Sequence, residues 1–156
     1  MRISLGSQWL DIRDDGFTVR RYDVSTSAWG PGERQHSLCT PRGRHIVRAK
    51  IGTGLPSGAV LVARRYTGEI YDERLARRDP ERDWILTRIL WLSGCEPGRN
   101  RLGGVDTMRR FIYIHGTPEV EPMGVPRSHG CIRMRNADVI DLFDMVEAGT
   151  PVELIP

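Results

Sequence analysis

Apolar and polar positions alternate in short stretches over the first two-thirds of the chain, and one stretch near the end keeps a helical period. Gln8–Arg13 and Phe17–Tyr22 flank Asp14-Asp15-Gly16. An Asp-Gly pair between two alternating runs predicts a β-hairpin, because it readily takes the positive φ such a turn requires. Tyr22–Ser27 and His45–Ile51 are further strand candidates, punctuated by the turn-forming Gly30-Pro31-Gly32 and Thr40-Pro41-Arg42-Gly43. Trp84–Leu92 is apolar on both faces apart from Thr87 and Arg88, the pattern of a strand buried on two sides, although nine such residues could also begin a helix. Arg110–His115 sets Phe111, Tyr113 and His115 against Ile112 and Ile114, so a strand there delivers His115 at its C-terminal end.

The helical period belongs to Val139, Leu142, Phe143 and Val146, with Asn136 as the expected N-cap, Asp138 in the first turn and Gly149 as the stop before a last strand, Pro151–Ile155. Two polar stretches interrupt the strands. Tyr71–Asp83, dense in Arg, Asp and Glu around Pro80, reads as a solvated loop or short helix. Ser93–Asp106 carries four glycines and Pro97, and reads as an irregular, mobile loop able to cover a cleft. The expected fold is mainly β, with one amphipathic helix.

Composition narrows the classes of function. A chain of 156 residues, with 39% apolar and 28% charged positions, fits one domain spanning 1–156 with a core that needs no disulfides. The net charge of +3 comes from 22 Arg and one Lys dispersed among 20 acids. No basic stripe interleaved with aromatics is present, so no nucleic-acid partner is expected. No apolar run approaches a membrane span, and Met1–Asp11 lacks the apolar core of an export signal. The chain as written is therefore expected in the cytoplasm, with no membrane partner; a start lying further upstream would make it periplasmic. Cys39, Cys95 and Cys131 are widely spaced without a C-x-x-C pair, which suggests neither a disulfide framework nor a thiolate zinc site. Cys39 and Cys95 are expected as small buried hydrophobes, and His36 and His45 as surface or structural residues.

The chemistry concentrates in Arg127-Ser128-His129-Gly130-Cys131-Ile132-Arg133-Met134, preceded by Tyr113-Ile114-His115-Gly116-Thr117. A thiol lies beside one imidazole, a second imidazole stands sixteen positions upstream, and a guanidinium follows two positions later. Those are the parts of a thiol-nucleophile acyl transferase: a sulfur that attacks, a base that ionises it, amides for an oxyanion and a cation for a carboxylate. Either His115 or His129 can be the base that lowers the Cys131 thiol. Gly130, lacking a Cβ, lets a substrate carbonyl approach the N–H groups of Gly130 and Cys131 as an oxyanion site. Arg133 cannot be a base, so it binds a carboxylate or holds the loop. His115, His129 and Cys131 could alternatively hold zinc with an open fourth position. The tight H-x-C spacing and the lack of an acid in the motif weigh against that, and no metal or cofactor is expected.

These two segments closely resemble the signature of the L,D-transpeptidase catalytic domain, also called the YkuD domain. Asn136-Ala137-Asp138-Val139 and Gly149-Thr150-Pro151-Val152, with Tyr22–Ser27 and Thr40–Gly43, extend the similarity over essentially the whole chain. The resemblance implies a β-sandwich or barrel-like fold with the cysteine in a cleft under a lid, placed in Ser93–Asp106 or Pro118–Arg127. It also implies acyl transfer on peptidoglycan stem peptides. Cys131 would attack the carbonyl of the diamino acid at position 3 and expel the terminal D-alanine, with His115 as base and His129 and Gly130 shaping the oxyanion pocket. Arg133, Ser128, Tyr113 and Gly116 would lie at the substrate, and carbapenems would be covalent inhibitors. The twelve residues between His115 and Ser128 are slightly fewer than the family's common spacing. Expected location favours hydrolysis of muropeptides, an L,D-carboxypeptidase activity, over 3-3 cross-linking or D-amino-acid exchange. A sortase-like enzyme and a non-catalytic muropeptide- or protein-binding module are the competing readings.

Overall fold

Ten strands form one branched, mixed sheet in the computed structural model, which describes residues 1–156. The Asp-Gly signal holds: β2 (Trp9–Asp14) and β3 (Phe17–Asp23) pair antiparallel across Asp15-Gly16. β1 (Arg2–Ser4) joins β2 to β10 (Pro151–Ile155), pairing parallel with the latter, so the two ends of the chain lie side by side inside the sheet. β10 then pairs with β4 (Gly43–Ile51), and β4 with β7 (Leu86–Gly94). Beyond β7 the sheet forks. One branch is the hairpin β5 (Ala59–Val62) and β6 (Arg65–Ile70); the other is β8 (Tyr113–Gly116) followed by β9 (Ile132–Met134).

The period-2 alternation of β8 explains which side chain faces where. Ile114 registers with Leu90 of β7 and Ile132 of β9, and all three join the main apolar core under helix α2 (Asn136–Met145) with Val139, Leu142 and Phe143. Tyr113 and His115 register with Trp91 and Ile89 on the opposite face. That face has its own small cluster, in which Cys131 packs beside Tyr113, Ile89 and Trp91. A third cluster of Val60, Leu75, Trp84 and Leu86 seats the short helix α1 (Glu73–Arg78), capped by the Asp72 side chain. Burying Leu75 and Trp84 brings the following turn, with Asp83, against the β8–β9 face.

Several local expectations are corrected. β8 begins at Tyr113, because Arg110 and Phe111 sit in a turn where Phe111 has φ 56°. Tyr22–Ser27 stops being a strand after Asp23, leaving isolated bridges from Ser25 to Arg133 and from Ser27 to Ser128. Asn136 is the first helical residue and does not cap: its amide donates to Thr117 O and Glu119 Oε1 and accepts from Thr87 Oγ1, tying the exit of β8 to α2. Ser93–Asp106 is pinned by the buried Asn100, whose Nδ2 donates to the carbonyls of Arg42 and Arg44. His45 is structural, within what was expected of it: it is buried and bonded to Gly43 O and Thr107 Oγ1. Cys39 is half-buried and Cys95 is exposed, so neither is the interior hydrophobe that sequence suggests.

Candidate active site

β8 and β9 run parallel, with His115 registered against Arg133, and Cys131 precedes β9 by one residue. Side chains at 113, 115, 131 and 133 therefore emerge on one face. The sequence elements that looked separate are neighbours because two short strands pair, and the intervening Pro118–Arg127 loop only has to close that pairing.

His115 is fully buried. Its Nδ1 lies 2.7 Å from Gly116 O, and since a carbonyl oxygen only accepts, Nδ1 carries the proton. Nε2 is then the basic nitrogen, and it is buried with no partner. Burial holds the imidazole below its ordinary pKa, opposed by the Asp83 carboxylate and the Gly116 carbonyl. The ring is neutral at pH 7 with its lone pair free, the state a general base requires.

Cys131 is half-buried. Its thiol donates to Phe111 O at 3.4 Å, and its sulfur accepts the Tyr113 N–H at 3.4 Å. No hydrogen bond joins the sulfur to either imidazole. Burial pushes the thiol up to about 12, against the Tyr113 amide and the guanidinium groups of Arg133 and Arg110, which pull it down. This reverses the sequence expectation of a thiol lowered by its neighbouring histidine. Desolvation by the surrounding apolar cluster outweighs the local hydrogen bond, so the sulfur rests protonated.

Backbone placement alters the expected oxyanion site. The Gly130 N–H is occupied by Ser128 Oγ at 3.2 Å, while Ser128 Oγ itself donates to Cys131 O at 2.5 Å. The free donor next to the sulfur is the Cys131 N–H, which makes no hydrogen bond in the chain, and the His129 N–H is likewise free. Gly130 has φ 127°, and a Cβ there would lie 3.3 Å from Cys39 O and from Ile112 Cδ1. Glycine is required at this position by conformation and by crowding together.

Four residues expected at the substrate prove to be internal. Arg133 is 5% exposed, with Nη2 2.6 Å from Asp83 Oδ1 and Nη1 3.1 Å from Glu121 Oε2. A guanidinium so paired is a buried tie and not an open carboxylate anchor. Ser128 is fully buried and braces the Cys131 turn. The Tyr113 hydroxyl accepts from Arg64 Nη1 at 2.9 Å, and the residue reaches the sulfur through its backbone. Gly116 is packed so closely that a Cβ would meet Asn136 Oδ1 at 2.5 Å and Leu86 O at 2.8 Å. His129 is half-exposed, tilted by 36° against Trp29 with ring centroids 5.3 Å apart, and its Nδ1 lies 3.5 Å from Asp83 Oδ2.

Asp83 is the charged residue beside this face that sequence reading missed. Its carboxylate bridges Arg133 and His129, and against partial desolvation the charge that His115 carries when protonated and the Arg133 guanidinium hold it below the usual carboxylate range. Nothing in Tyr71–Asp83 marks this one acid among several. The only signal is that it directly precedes the tryptophan that docks the segment.

A cleft of about 210 Å³ is lined by Gln35, His36, Leu38, Arg109, Arg110, Phe111, Ile112 and His129; Cys131 is not part of the lining and adjoins it through Phe111, whose carbonyl accepts the thiol. Neither loop expected to form a lid borders it; the rim comes from Gln35–Leu38 and Arg109–Phe111. A larger hollow of about 560 Å³ between α1 and Glu119–Val120 contains neither Cys131 nor a histidine. No group of three His, Cys, Asp or Glu side chains is arranged to share a metal ion, and no helix is long and apolar enough to cross a membrane.

The probable L,D-transpeptidase YbiS of Escherichia coli is 46% identical over 46 residues, covering 30% of this chain and 15% of that protein, so the match spans a small part of the relative's length. L,D-transpeptidase 3 of Mycobacterium tuberculosis, solved in complex with a faropenem-derived adduct, superposes with a TM-score of 0.59 at 16% identity, over 99% of this chain and 59% of that one. The LD transpeptidase LdtMt1 in complex with imipenem superposes with a TM-score of 0.56 at 19% identity, over 99% and 57%. Those identities establish a shared fold. The family model for the L,D-transpeptidase catalytic domain, YkuD, matches residues 2–154, and with the Cys131–His115 face in place the chain belongs to that family of cysteine-dependent enzymes.

Proposed function

We propose that the chain catalyses acyl transfer from peptidoglycan tetrapeptide stems through Cys131, cleaving the bond between the position-3 diamino acid and the terminal D-alanine, with water as the acceptor. One observation carries the reading: Cys131 lies on the same face of the β8–β9 pair as His115, whose buried Nε2 has no partner. A buried lone pair without a donor is costly and is rational where a thiol proton must be taken.

The thiol is not ionised at rest, so its proton moves to His115 Nε2 as the sulfur attacks the carbonyl. The Tyr113 N–H supports the developing thiolate. The unpaired N–H groups of Cys131 and His129 are the proposed oxyanion donors, groups worth on the order of 3 kcal/mol each in comparable sites. The tetrahedral intermediate collapses with the C–N bond breaking, and the leaving amine of D-alanine takes the proton from His115. Water then gives His115 a proton, attacks the thioester and releases the tripeptide and the thiol. Asp83 stabilises the imidazolium between these steps. The apo separation of sulfur and imidazole closes in the substrate complex, as is common for catalytic hydrogen bonds.

Hydrolysis is the proposed outcome over cross-linking, which must also admit a second stem's amine to the thioester. Soluble muropeptides are the proposed substrates, and the cytoplasm is the proposed location. Incubation with disaccharide-tetrapeptide and mass analysis is expected to show loss of one alanine residue. A cross-linked dimer in its place assigns the transpeptidase, and an inert Cys131 sinks the enzyme reading. Cys131→Ala should still bind the muropeptide and turn over none of it, which separates an enzyme from a binding module. Two relatives are recorded with imipenem or a faropenem-derived adduct, and a carbapenem is expected to add its mass to Cys131 here.

A further inference from the structure

With Arg133 locked in the interior, the cation needed to recognise a stem's carboxylate must come from elsewhere. The cleft beside Cys131 supplies it. Its lining includes Arg109, Arg110, His36 and His129 and not one carboxylate. Arg110 has no acidic partner at ion-pair distance, and its guanidinium is held by neutral oxygens: Nη1 donates to Gly32 O at 3.0 Å, and Nη2 to Cys39 O at 2.5 Å and Ser37 Oγ at 3.4 Å. These contacts orient the fork without neutralising it, and they leave its Nε–H free of any partner in the chain. The position relative to the nucleophile is fixed by two contacts. Arg110 precedes Phe111, whose carbonyl receives the Cys131 thiol, and the Cys39 carbonyl it grips packs against Gly130.

We propose that Arg110, with Arg109 and His36 at the rim, is a carboxylate subsite adjoining Cys131, and that it takes the free C-terminal carboxylate of the leaving D-alanine. That carboxylate is three bonds from the carbonyl carbon under attack, about 4 Å through standard bond lengths, so its subsite has to adjoin the sulfur. A partly buried guanidinium already held in place loses little freedom when it binds a carboxylate, and the bond is charge-assisted. The subsite makes the enzyme specific for stems that end at this residue and rejects amidated or extended ones. The choice of D-alanine as ligand rests on the tetrapeptide reading; the anion site does not.

The test uses two small alkylating agents that differ only in charge. Rates of Cys131 modification by iodoacetate and iodoacetamide are measured by peptide mapping on the full chain, each divided by the rate for free cysteine. Wild type is expected to favour iodoacetate by about 10- to 100-fold, the range of a charge-assisted pair. Arg110→Gln should abolish the preference and Arg110→Lys keep part of it, with the iodoacetamide rate as the check that the site still folds. If Arg110→Gln does not fold, protection of wild-type Cys131 from iodoacetamide by D-alanine, and not by D-alaninamide, carries the same information. No preference in the wild type, an unchanged ratio in folded Arg110→Gln, or equal protection by the two amines overturns the subsite. If the preference stands while tetrapeptide is not turned over, the anion site survives and the substrate assignment falls. If tetrapeptide and its C-terminal amide are cleaved equally well, the subsite falls and the acyl-transfer reading survives.

Discussion

At the scale of single residues, the resting state of Cys131 separates two kinds of thiol enzyme. A preformed thiolate–imidazolium pair reacts with iodoacetamide at a rate that plateaus at low pH. Here burial pushes the thiol up to about 12 and His115 is depressed and neutral. Alkylation of Cys131 is therefore expected to rise about tenfold per pH unit from pH 7 to 10 without levelling, and a plateau below pH 8 would contradict this assignment. Asp83 offers a second test, because its charge acts in opposite senses on the pair. It raises both the His115 and the Cys131 pKa, so Asp83→Asn should lower both. The acidic limb of kcat/KM then moves to lower pH, iodoacetamide labelling at fixed pH becomes several-fold faster, and turnover drops about tenfold as the imidazolium loses its counter-charge. Arg133 keeps Glu121 in that variant, which limits the structural damage. A drop in turnover with both pH features unmoved would make Asp83 a purely structural residue.

At the scale of elements, the site depends on how tightly β8 meets β7 and α2. Thr87, at a register shift in β7, holds φ 71°, a strained position for a β-branched residue that costs on the order of 1–3 kcal/mol. Its hydroxyl is used twice, accepting from the Gly58 N–H and donating to Asn136 Oδ1, and Asn136 in turn holds Thr117 O at the end of β8. Gly116 lies inside this knot. Gly116→Ala is expected to destabilise the fold by about 2–4 kcal/mol, since the Leu86 backbone cannot retreat from a new methyl group. Chemical denaturation should show it as a lower midpoint at unchanged m-value, and a shift under 0.5 kcal/mol would mean that β8 can slide. Such sliding would move His115 relative to Cys131, so turnover should fall further than Cys131 alkylation.

At the scale of the whole molecule, two buried histidines make stability depend on pH. His45 and His115 are both depressed, chiefly by burial. Below the unfolded value of about 6.5 the denatured chain binds protons that the folded chain refuses, so stability falls as pH drops. Thermal unfolding should show a Tm nearly flat from pH 8 to 7 and declining from pH 6.5 to 5. His115→Asn should shallow that decline; an undiminished slope would place its origin elsewhere. The carboxylates held low, such as Asp83 and Asp11, add their own loss only as pH falls through lower values.

Much of the outline was legible in the chain itself. Asp15-Gly16 specified a hairpin, the period of Val139, Leu142 and Phe143 specified a helix, and the alternation around Ile114 put Tyr113 and His115 on one face. These are local consequences of backbone geometry and side-chain spacing, so neighbouring residues suffice to read them. The thiol, the base and the motif joining them were legible for the same reason. What only the tertiary structure decided was where each charge comes to rest. Arg133 met Asp83 from fifty residues upstream and became interior, Arg110 met only neutral oxygens and stayed available, and the apolar cluster around Cys131 raised a thiol that its neighbours in sequence seemed set to lower. Desolvation and charge pairing depend on what surrounds a group in space, and that is assembled from distant segments.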